Sequence, residues 1–257
     1  MNRFTGKTVL VTGGTSGIGL ATAQRLLAEG ARVIVSGSRD ASLAKARDVL
    51  GDAVIAIKND AGDADSATVL AAEVAKHTSK LDAVFFNAGF GRFSPAEAAT
   101  AAEFDEHFAV NVRGPLLQVR ALLPLVPSGG NLLFTTSIVA EMGLPGSAIY
   151  AGTKGALRTI VKVLAAELAP RNIRANSVAP GPIETAFFDR TGMPAAAIAE
   201  FGANVVAQVP LGRFGKSEEV AAVAAFLLSD DASFVTGAEY CVDGRINPVS
   251  CPGTFMS

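Results

Sequence analysis

The chain has 257 residues, 49% hydrophobic and 18% charged, enough apolar material for a sizeable core and too much for a disordered chain. A formal net charge of −2 leaves no electrostatic footprint for nucleic acid or an anionic membrane surface, and no apolar run approaches the ~20 residues that span a bilayer. The opening MNRFTGKTVLVTGG enters a strand with no signal-peptide pattern, and Cys241, Cys251 and two histidines match no zinc, CxxC or other metal spacing, so the expectation is a cytoplasmic protein with reduced thiols and no metal site.

The length suits one large α/β domain as well as two small ones. Lys7 to Thr12 read as a strand, followed at once by Gly13-Gly14-Thr15-Ser16-Gly17-Ile18-Gly19. A helical pattern then runs through Leu20, Ala23, Leu26 and Leu27 to a C-cap at Gly30. Strand, glycine turn and helix form the context in which small residues admit a pyrophosphate and a helix N-terminus offers it N–H groups. The spacing is GxxxGxG rather than the commoner GxGxxG. The second strand, Arg32 to Ser36, ends in Gly37-Ser38-Arg39. Gly37 stands where an NAD-binding domain usually carries Asp or Glu for the ribose 2′-hydroxyl. A guanidinium at Arg39 suits a 2′-phosphate, so NADPH/NADP+ is preferred and NADH/NAD+ is possible, with Asp40 close enough to blur the choice.

The alternation continues with a helix over Asp40–Leu50 and a strand over Ala53–Lys58. A helix from about Asp63 to His77, with Asp63 as its cap, leads to a strand over Leu81–Phe86 that closes on Asn87-Ala88-Gly89. Helical patterns run from about Pro95, with a kink at Gly114-Pro115, and His107 reads as structural. The strand Asn131–Thr136 leads into Ser137. Ser147 is the candidate N-cap of a helix carrying Tyr150, Lys154, Leu157, Val161, Leu164 and Leu168, which Pro170 ends. Ile173 to Val178 form a strand, and Ala179 to Thr185 a loop. A capped helix over Ser217–Leu228 and a short strand over Tyr240–Val242 complete the pattern. Such repetition predicts a parallel sheet covered on both faces, with ligands at the carboxyl ends of its strands.

Tyr150 and Lys154 are four apart, so they share one helix face. A free phenol has a pKa of ~10. A neighbouring ammonium favours the phenolate and is expected to bring Tyr150 toward neutral working range. Ser137 can hydrogen-bond a substrate oxygen if its loop folds back.

These residues together carry a resemblance. TGGTSGIG at 12–19, Asn87-Ala88-Gly89, Asn111, Ser137, Tyr150-x-x-x-Lys154 and Pro180-Gly181 stand in the order and spacing of the short-chain dehydrogenase/reductase family, over nearly the whole chain. The resemblance implies a single α/β Rossmann-like domain over 1–257, doubly wound, with a seven-stranded parallel sheet in the order 3-2-1-4-5-6-7 and helices on both faces. It also implies a homotetramer, or less often a dimer, packed through helices around 100–125 and 150–168. Tyr150 would exchange a proton with the carbonyl or alcohol oxygen, and Ser137 would polarise it. Lys154 would hold the nicotinamide ribose and lower the Tyr150 pKa, and Asn111 would hold a helix distortion and a water leading to Lys154. Gly13, Thr15, Ser16, Gly17, Ile18 and Gly19 match the pyrophosphate and adenosine loop. Asp60 and Ala61 match the adenine contacts, Asn87, Ala88 and Gly89 the adenosine ribose, and Pro180, Gly181, Ile183 and Thr185 the carboxamide wall.

Two departures bear on specificity. Ser16 stands where NADPH-dependent members often carry a basic residue, which leaves Gly37, Ser38 and Arg39 as the argument for the phosphate. Asp243-Gly244-Arg245 replaces the usual DGG, and the tail over 246–257 has no helix or strand signal. The segment 186–212 is the family's lid, with Phe187, Phe188, Met193, Ile198 and Phe201; Val139, Met142, Leu144, Phe90 and Phe93 are further pocket candidates. The expected partner is a small carbonyl or alcohol substrate with apolar groups. A 3-oxoacyl-acyl-carrier-protein reductase is the alternative, with Arg171 and Arg174 toward an acidic carrier, although Pro127-Ser128-Gly129-Gly130 lacks the basic residue more usual there. A nucleotide sensor without turnover is disfavoured, because Ser137, Tyr150 and Lys154 are all intact.

Overall fold

In the first strand every side chain is buried, and successive residues serve opposite faces: Val9 and Val11 enter one apolar layer and Leu10 the other. The same alternation holds for Val33 and Val35 against Ile34, and for Ala83 and Phe85 against Val84 and Phe86. The sheet is therefore apolar on both sides at β1, β2 and β4, which is why those strands read as unbroken apolar runs. A computed structural model describes residues 2–185 and 195–246, with the backbone alone at 195–199 and 201.

The elements are β1 (Thr8–Thr12), α1 (Gly17–Ala28), β2 (Arg32–Gly37), α2 (Asp40–Leu50), β3 (Ile55–Lys58), α3 (Ser66–Ala75) and β4 (Ala83–Phe86). Then come α4 (Ala101–Phe108), α5 (Gly114–Leu122), β5 (Asn131–Thr135), α6 (Ala148–Leu168), β6 (Arg174–Pro180) and β7 (Ile183–Glu184). The chain continues through α7 (Ala195–Gln208), β8 (Gly215–Lys216), α8 (Ser217–Leu228) and β9 (Glu239–Val242). A seven-stranded parallel sheet runs β3-β2-β1-β4-β5-β6-β9, the order expected, and its last place falls to the ninth strand because β7 and β8 pair with each other. Helices α3, α5 and α6 cover one face through Leu70, Val74, Val119, Leu122, Leu157, Val161 and Leu164. Helices α1 and α8 cover the other through Ala23, Leu26, Val220, Ala224 and Leu227. Each of the leucines and valines contributes roughly 1.5–3 kcal/mol on full burial, and each alanine methyl about 0.8 kcal/mol.

Several expectations are corrected in detail. Helix α3 starts at Ser66, not Asp63; the Asp63 carboxylate instead accepts from Asp65 N–H (2.9 Å) in the turn before it. Helix α4 is capped by Thr100, whose hydroxyl accepts from Glu103 N–H at 3.1 Å. The irregularity expected at Gly114-Pro115 is a π-helical turn over Ala109–Arg113, immediately before it. Ser147 occupies the N-cap of α6, but its hydroxyl donates to Leu144 C=O (2.7 Å) and caps no helical N–H. The stretch Ala179–Thr185 is not all loop: it completes β6 and contains β7. His107 is structural as expected, fully buried, accepting Arg92 N–H at Nε2 (3.1 Å) with Nδ1 2.8 Å from Glu103 C=O.

Candidate active site

The strand order reverses between β1 and β4, and the carboxyl ends of the strands there open on a cleft of about 890 Å³. Among the residues expected at a dinucleotide, Gly13, Thr15, Ser16, Gly17, Ile18, Ser38, Arg39, Asp60, Ala61, Asn87, Ala88, Gly89, Pro180, Gly181, Ile183 and Thr185 all line it. Gly19 does not. It is buried behind the turn, where a Cβ would strike the Gly13 carbonyl and the Asn87 amide, so its smallness serves packing. Gly13 has φ +62°, and a Cβ there would lie 2.8 Å from Ala88 Cα. The first intrahelical bond of α1 is Leu20 N–H to Ser16 C=O (3.2 Å), so the N–H groups of Gly17, Ile18 and Gly19 have no partner within the helix.

Asn87 proves to be a knot as well as a wall. Its Nδ2 donates to Thr12 C=O (3.3 Å) and Gly13 C=O (3.2 Å), while its Oδ1 accepts from Thr135 Oγ1 (3.1 Å). Thr12 Oγ1 accepts from Asn87 N–H (3.0 Å) and Ala88 N–H (3.2 Å). The ends of β1, β4 and β5 are thereby fixed together.

At the end of β2, Arg39 is exposed on the cleft and forms no ion pair among the described residues. Asp40 does not line the cleft; its carboxylate is taken by Lys58 Nζ at 2.6 Å. The acid next to Arg39 is thus turned to a lysine. Ser42, which the sequence reading missed, joins Ser38 here; its place in the first turn of α2 was the available signal. Gly37 leaves room for Thr15, whose Cγ2 would lie 2.7 Å from a Cβ and would have to shift for one.

Beyond β5, Ser137, Tyr150 and Lys154 converge on the cleft. Ser137 bonds the Tyr150 hydroxyl. Lys154 is 4% exposed, donates to Thr135 C=O at 2.8 Å, and holds Nζ 5.7 Å from the Tyr150 ring centroid. Burial pushes the Tyr150 phenol up to about 12, partly offset by the Ser137 hydrogen bond. Burial also lowers Lys154 to about 8. The expected lowering of the phenol is corrected here: desolvation dominates and raises it, with the Ser137 hydrogen bond opposing, which keeps Tyr150 in its protonated, proton-donating form. Asn111 does not line the cleft. It sits in the π-helical turn, accepting Phe90 N–H (3.1 Å) and donating to Phe90 C=O (2.8 Å) and Thr153 Oγ1 (3.1 Å). Both Asn111 Oδ1 and Lys154 Nζ crowd Gly89, where a Cβ would meet them at 3.1 and 3.5 Å.

Val139, Met142 and Leu144 line the same end, with Phe90 and Phe93; the Phe93 ring stands edge-on to Tyr150 at 6.3 Å. Phe187, Phe188 and Met193 lie outside the described residues, as does the tail over 247–257, and the side chains of Ile198 and Phe201 are not described. Residues 195–208 of the expected lid form α7, whose Asn204, Val205 and Gln208 reach the cleft. The sequence reading also missed Val110 and Arg113, which the π turn brings beside Gly62; Arg113 Nη2 donates to Gly62 C=O at 2.6 Å. Among the described residues no group of histidine, cysteine or carboxylate side chains is arranged to hold a metal, and no helix is long and apolar enough to cross a membrane.

A doubly wound sheet with a glycine cradle at its first turn and a serine, a tyrosine and a lysine at the far end of one cleft is the framework of a dinucleotide-dependent oxidoreductase. The family model described as enoyl-(acyl carrier protein) reductase matches residues 13–246. An uncharacterized oxidoreductase of Methylorubrum extorquens is 39% identical over 96% of this chain and 100% of its own, and a versicolorin reductase of Emericella nidulans is 36% identical over 94% and 96%. A short-chain dehydrogenase from Burkholderia cenocepacia, solved in complex with NADP, superposes with a TM-score of 0.85 at 32% identity, over 96% of this chain and 100% of that one. The chain belongs to the short-chain dehydrogenase/reductase family and is an oxidoreductase of that family.

Proposed function

We propose that this protein reduces ketones or aldehydes bearing apolar groups, reversibly as an alcohol dehydrogenase, with NADPH preferred to NADH. The observation that carries the reading is the Tyr150 hydroxyl, bonded by Ser137, buried over Lys154 and facing an apolar end of the cleft. The residues fit the dinucleotide: the cradle tolerates no Cβ at Gly13, and Arg39 is a cation with no described acid partner. The α1 N-terminus would hold the pyrophosphate, Arg39 and Ser38 the 2′-phosphate, Asp60 and Ala61 the adenine, and Asn87 to Gly89 its ribose. Pro180, Gly181, Ile183 and Thr185 would hold the carboxamide, and Lys154 the ribose beside it. When bound, the nicotinamide supplies the hydride.

The chain's own part is the proton. Ser137 donates a hydrogen bond to the carbonyl oxygen, and Tyr150, kept protonated by its burial, gives its proton to that oxygen as negative charge develops. Lys154 then stabilises the phenolate left behind. Asn111 anchors the π turn, and a water beside it would return a proton through Lys154. In the oxidative direction the raised phenol opposes proton abstraction, and Lys154 would favour it by stabilising the phenolate. For assembly, Phe104 on α4 and Val163 on α6 are 47% and 51% exposed, which supports subunit packing through those helices in a homotetramer or dimer.

The carrier-protein reading is favoured by the description of the matching family model. Its two arginines are otherwise engaged: Arg171 donates to Leu123 C=O and Val126 C=O, and Arg174 to Val235, Leu227 and Ser229 carbonyls. The test is a panel of aryl and alkyl ketones, aldehydes and an acetoacetyl thioester with each dinucleotide, followed by the near-ultraviolet absorbance of the reduced nicotinamide. Faster turnover of apolar ketones with NADPH supports the proposal; preference for the thioester, or no turnover of any carbonyl, overturns it.

A further inference from the structure

Tyr150 and Lys154 are followed along α6 by Arg158, again at a spacing of four, so the three side chains leave the helix on successive turns of one side. Arg158 does not line the cleft. Its Nη2 pairs with the Glu141 carboxylate, and its Nε lies 2.7 Å from Glu239 Oε2. That second contact is off the N–H direction, a charge contact rather than an aligned hydrogen bond. Glu239, on β9, accepts in turn from Thr136 Oγ1 at 2.6 Å and from Ser177 Oγ at 3.4 Å. The three charged side chains are 30%, 15% and 10% exposed for Arg158, Glu141 and Glu239, so their attraction is only partly screened.

The placement of these partners is informative. Thr136 immediately precedes Ser137, and Glu141 closes the 3₁₀ turn Ile138–Ala140 that follows it, with Glu141 N–H bonded to Ile138 C=O at 2.9 Å. One guanidinium therefore holds both ends of the segment 136–141, one directly and one through a carboxylate and a hydroxyl. Backbone bonds also hold the segment, Thr136 N–H to Val178 C=O at 2.9 Å and Ala140 N–H to Ser137 C=O at 3.2 Å, but the tie on the Ser137 hydroxyl within it is the long one from Val139 N–H, at 3.4 Å. We infer that Arg158, acting through Glu141 and Glu239, is the positioning residue that sets Ser137 against the Tyr150 hydroxyl. This rests on the proposed Ser137–Tyr150 chemistry and adds a component to it. The helix that carries the proton donor also fixes the distance to the group that orients the substrate oxygen.

The test begins with wild-type enzyme on a ketone it reduces. Arg158→Met should lower kcat roughly 10–100-fold, because small displacements of an orienting group are costly, while the Kd for NADPH stays within about twofold. Arg158→Lys should recover part of the loss. In a Ser137→Ala background, Arg158→Met should cost little more, since the group it positions is already gone. Unchanged kcat in Arg158→Met, or a full multiplicative loss on top of Ser137→Ala, overturns the inference. Should Arg158→Met not fold, Glu141→Gln severs the direct arm and is read in the same way. If wild-type enzyme reduces no carbonyl, the functional proposal has failed. The inference is then decided by crystal structures alone: an unmoved Ser137 Oγ in Arg158→Met overturns it, and a shift of more than about 0.5 Å from Tyr150 supports it.

Discussion

Lys154→Met should make the enzyme inactive and more stable, and the size of the gain follows from the burial of the ammonium. Lys154 is 4% exposed, and among the described residues its one hydrogen bond goes to the Thr135 carbonyl. Burial lowers it from 10.5 to about 8, and at about 1.4 kcal/mol per pKa unit the charged form costs about 3 kcal/mol in the native state at neutral pH. Methionine removes that cost and fills similar space, but leaves Thr135 C=O without its donor, at about 1–1.5 kcal/mol. The net gain is about 1–2 kcal/mol, or a rise in Tm of about 2–8 °C for a chain of this size. The pH dependence provides the discriminating measurement. Between pH 8 and 10.5 the unfolded wild type still holds the Lys154 proton while the folded form has released it, so unfolding takes up a proton and wild-type stability rises with pH. The advantage of Lys154→Met should be full below pH 8 and shrink as pH rises toward 10. Differential scanning calorimetry at fixed protein concentration, without dinucleotide, reads both. A lower Tm for the variant at pH 7, or a difference that stays constant to pH 10, would refute the reasoning.

Tyr150→Phe should retain NADPH binding, measured by fluorescence titration, and lose about 10²–10⁴ in kcat, the usual worth of a general acid; near-normal turnover would remove Tyr150 from its role. Arg39→Ala should raise KM for NADPH much more than for NADH, and equal effects would mean that the guanidinium does not meet a 2′-phosphate. Gly13→Ala should weaken binding of both dinucleotides alike, since its Cβ would press on Ala88 whichever cofactor is offered; isothermal titration with each cofactor checks this.

The framework was legible because its signals are local. Strands dry on both faces read as apolar runs, the φ +62° of Gly13 requires a glycine, and a spacing of four puts Tyr150 and Lys154 on one face. What escaped depends on distant parts of the chain. The π turn falls at Asn111, where the resemblance implied a helix distortion, but that it brings Val110 and Arg113 to the cleft is recorded by no residue pattern. Asn204, Val205 and Gln208 belong to a helix whose approach to the cleft is set by tertiary packing. The Tyr150 phenol is raised rather than lowered because proximity is visible in a sequence and the loss of water is not. Gly19 was read as a ligand contact from motif position, whereas the collision awaiting a methyl group there is with Gly13 and Asn87.

The order of the strands also separates two kinds of choice. Arg39 follows β2, whereas Val139, Met142 and Leu144 follow β5, three ladder steps away across β1 and β4, or roughly 14 Å. Changes that retune the electron donor and changes that retune the electron acceptor thus fall on opposite banks of the same channel. Their free-energy effects should sum, so each preference can be engineered without revisiting the other.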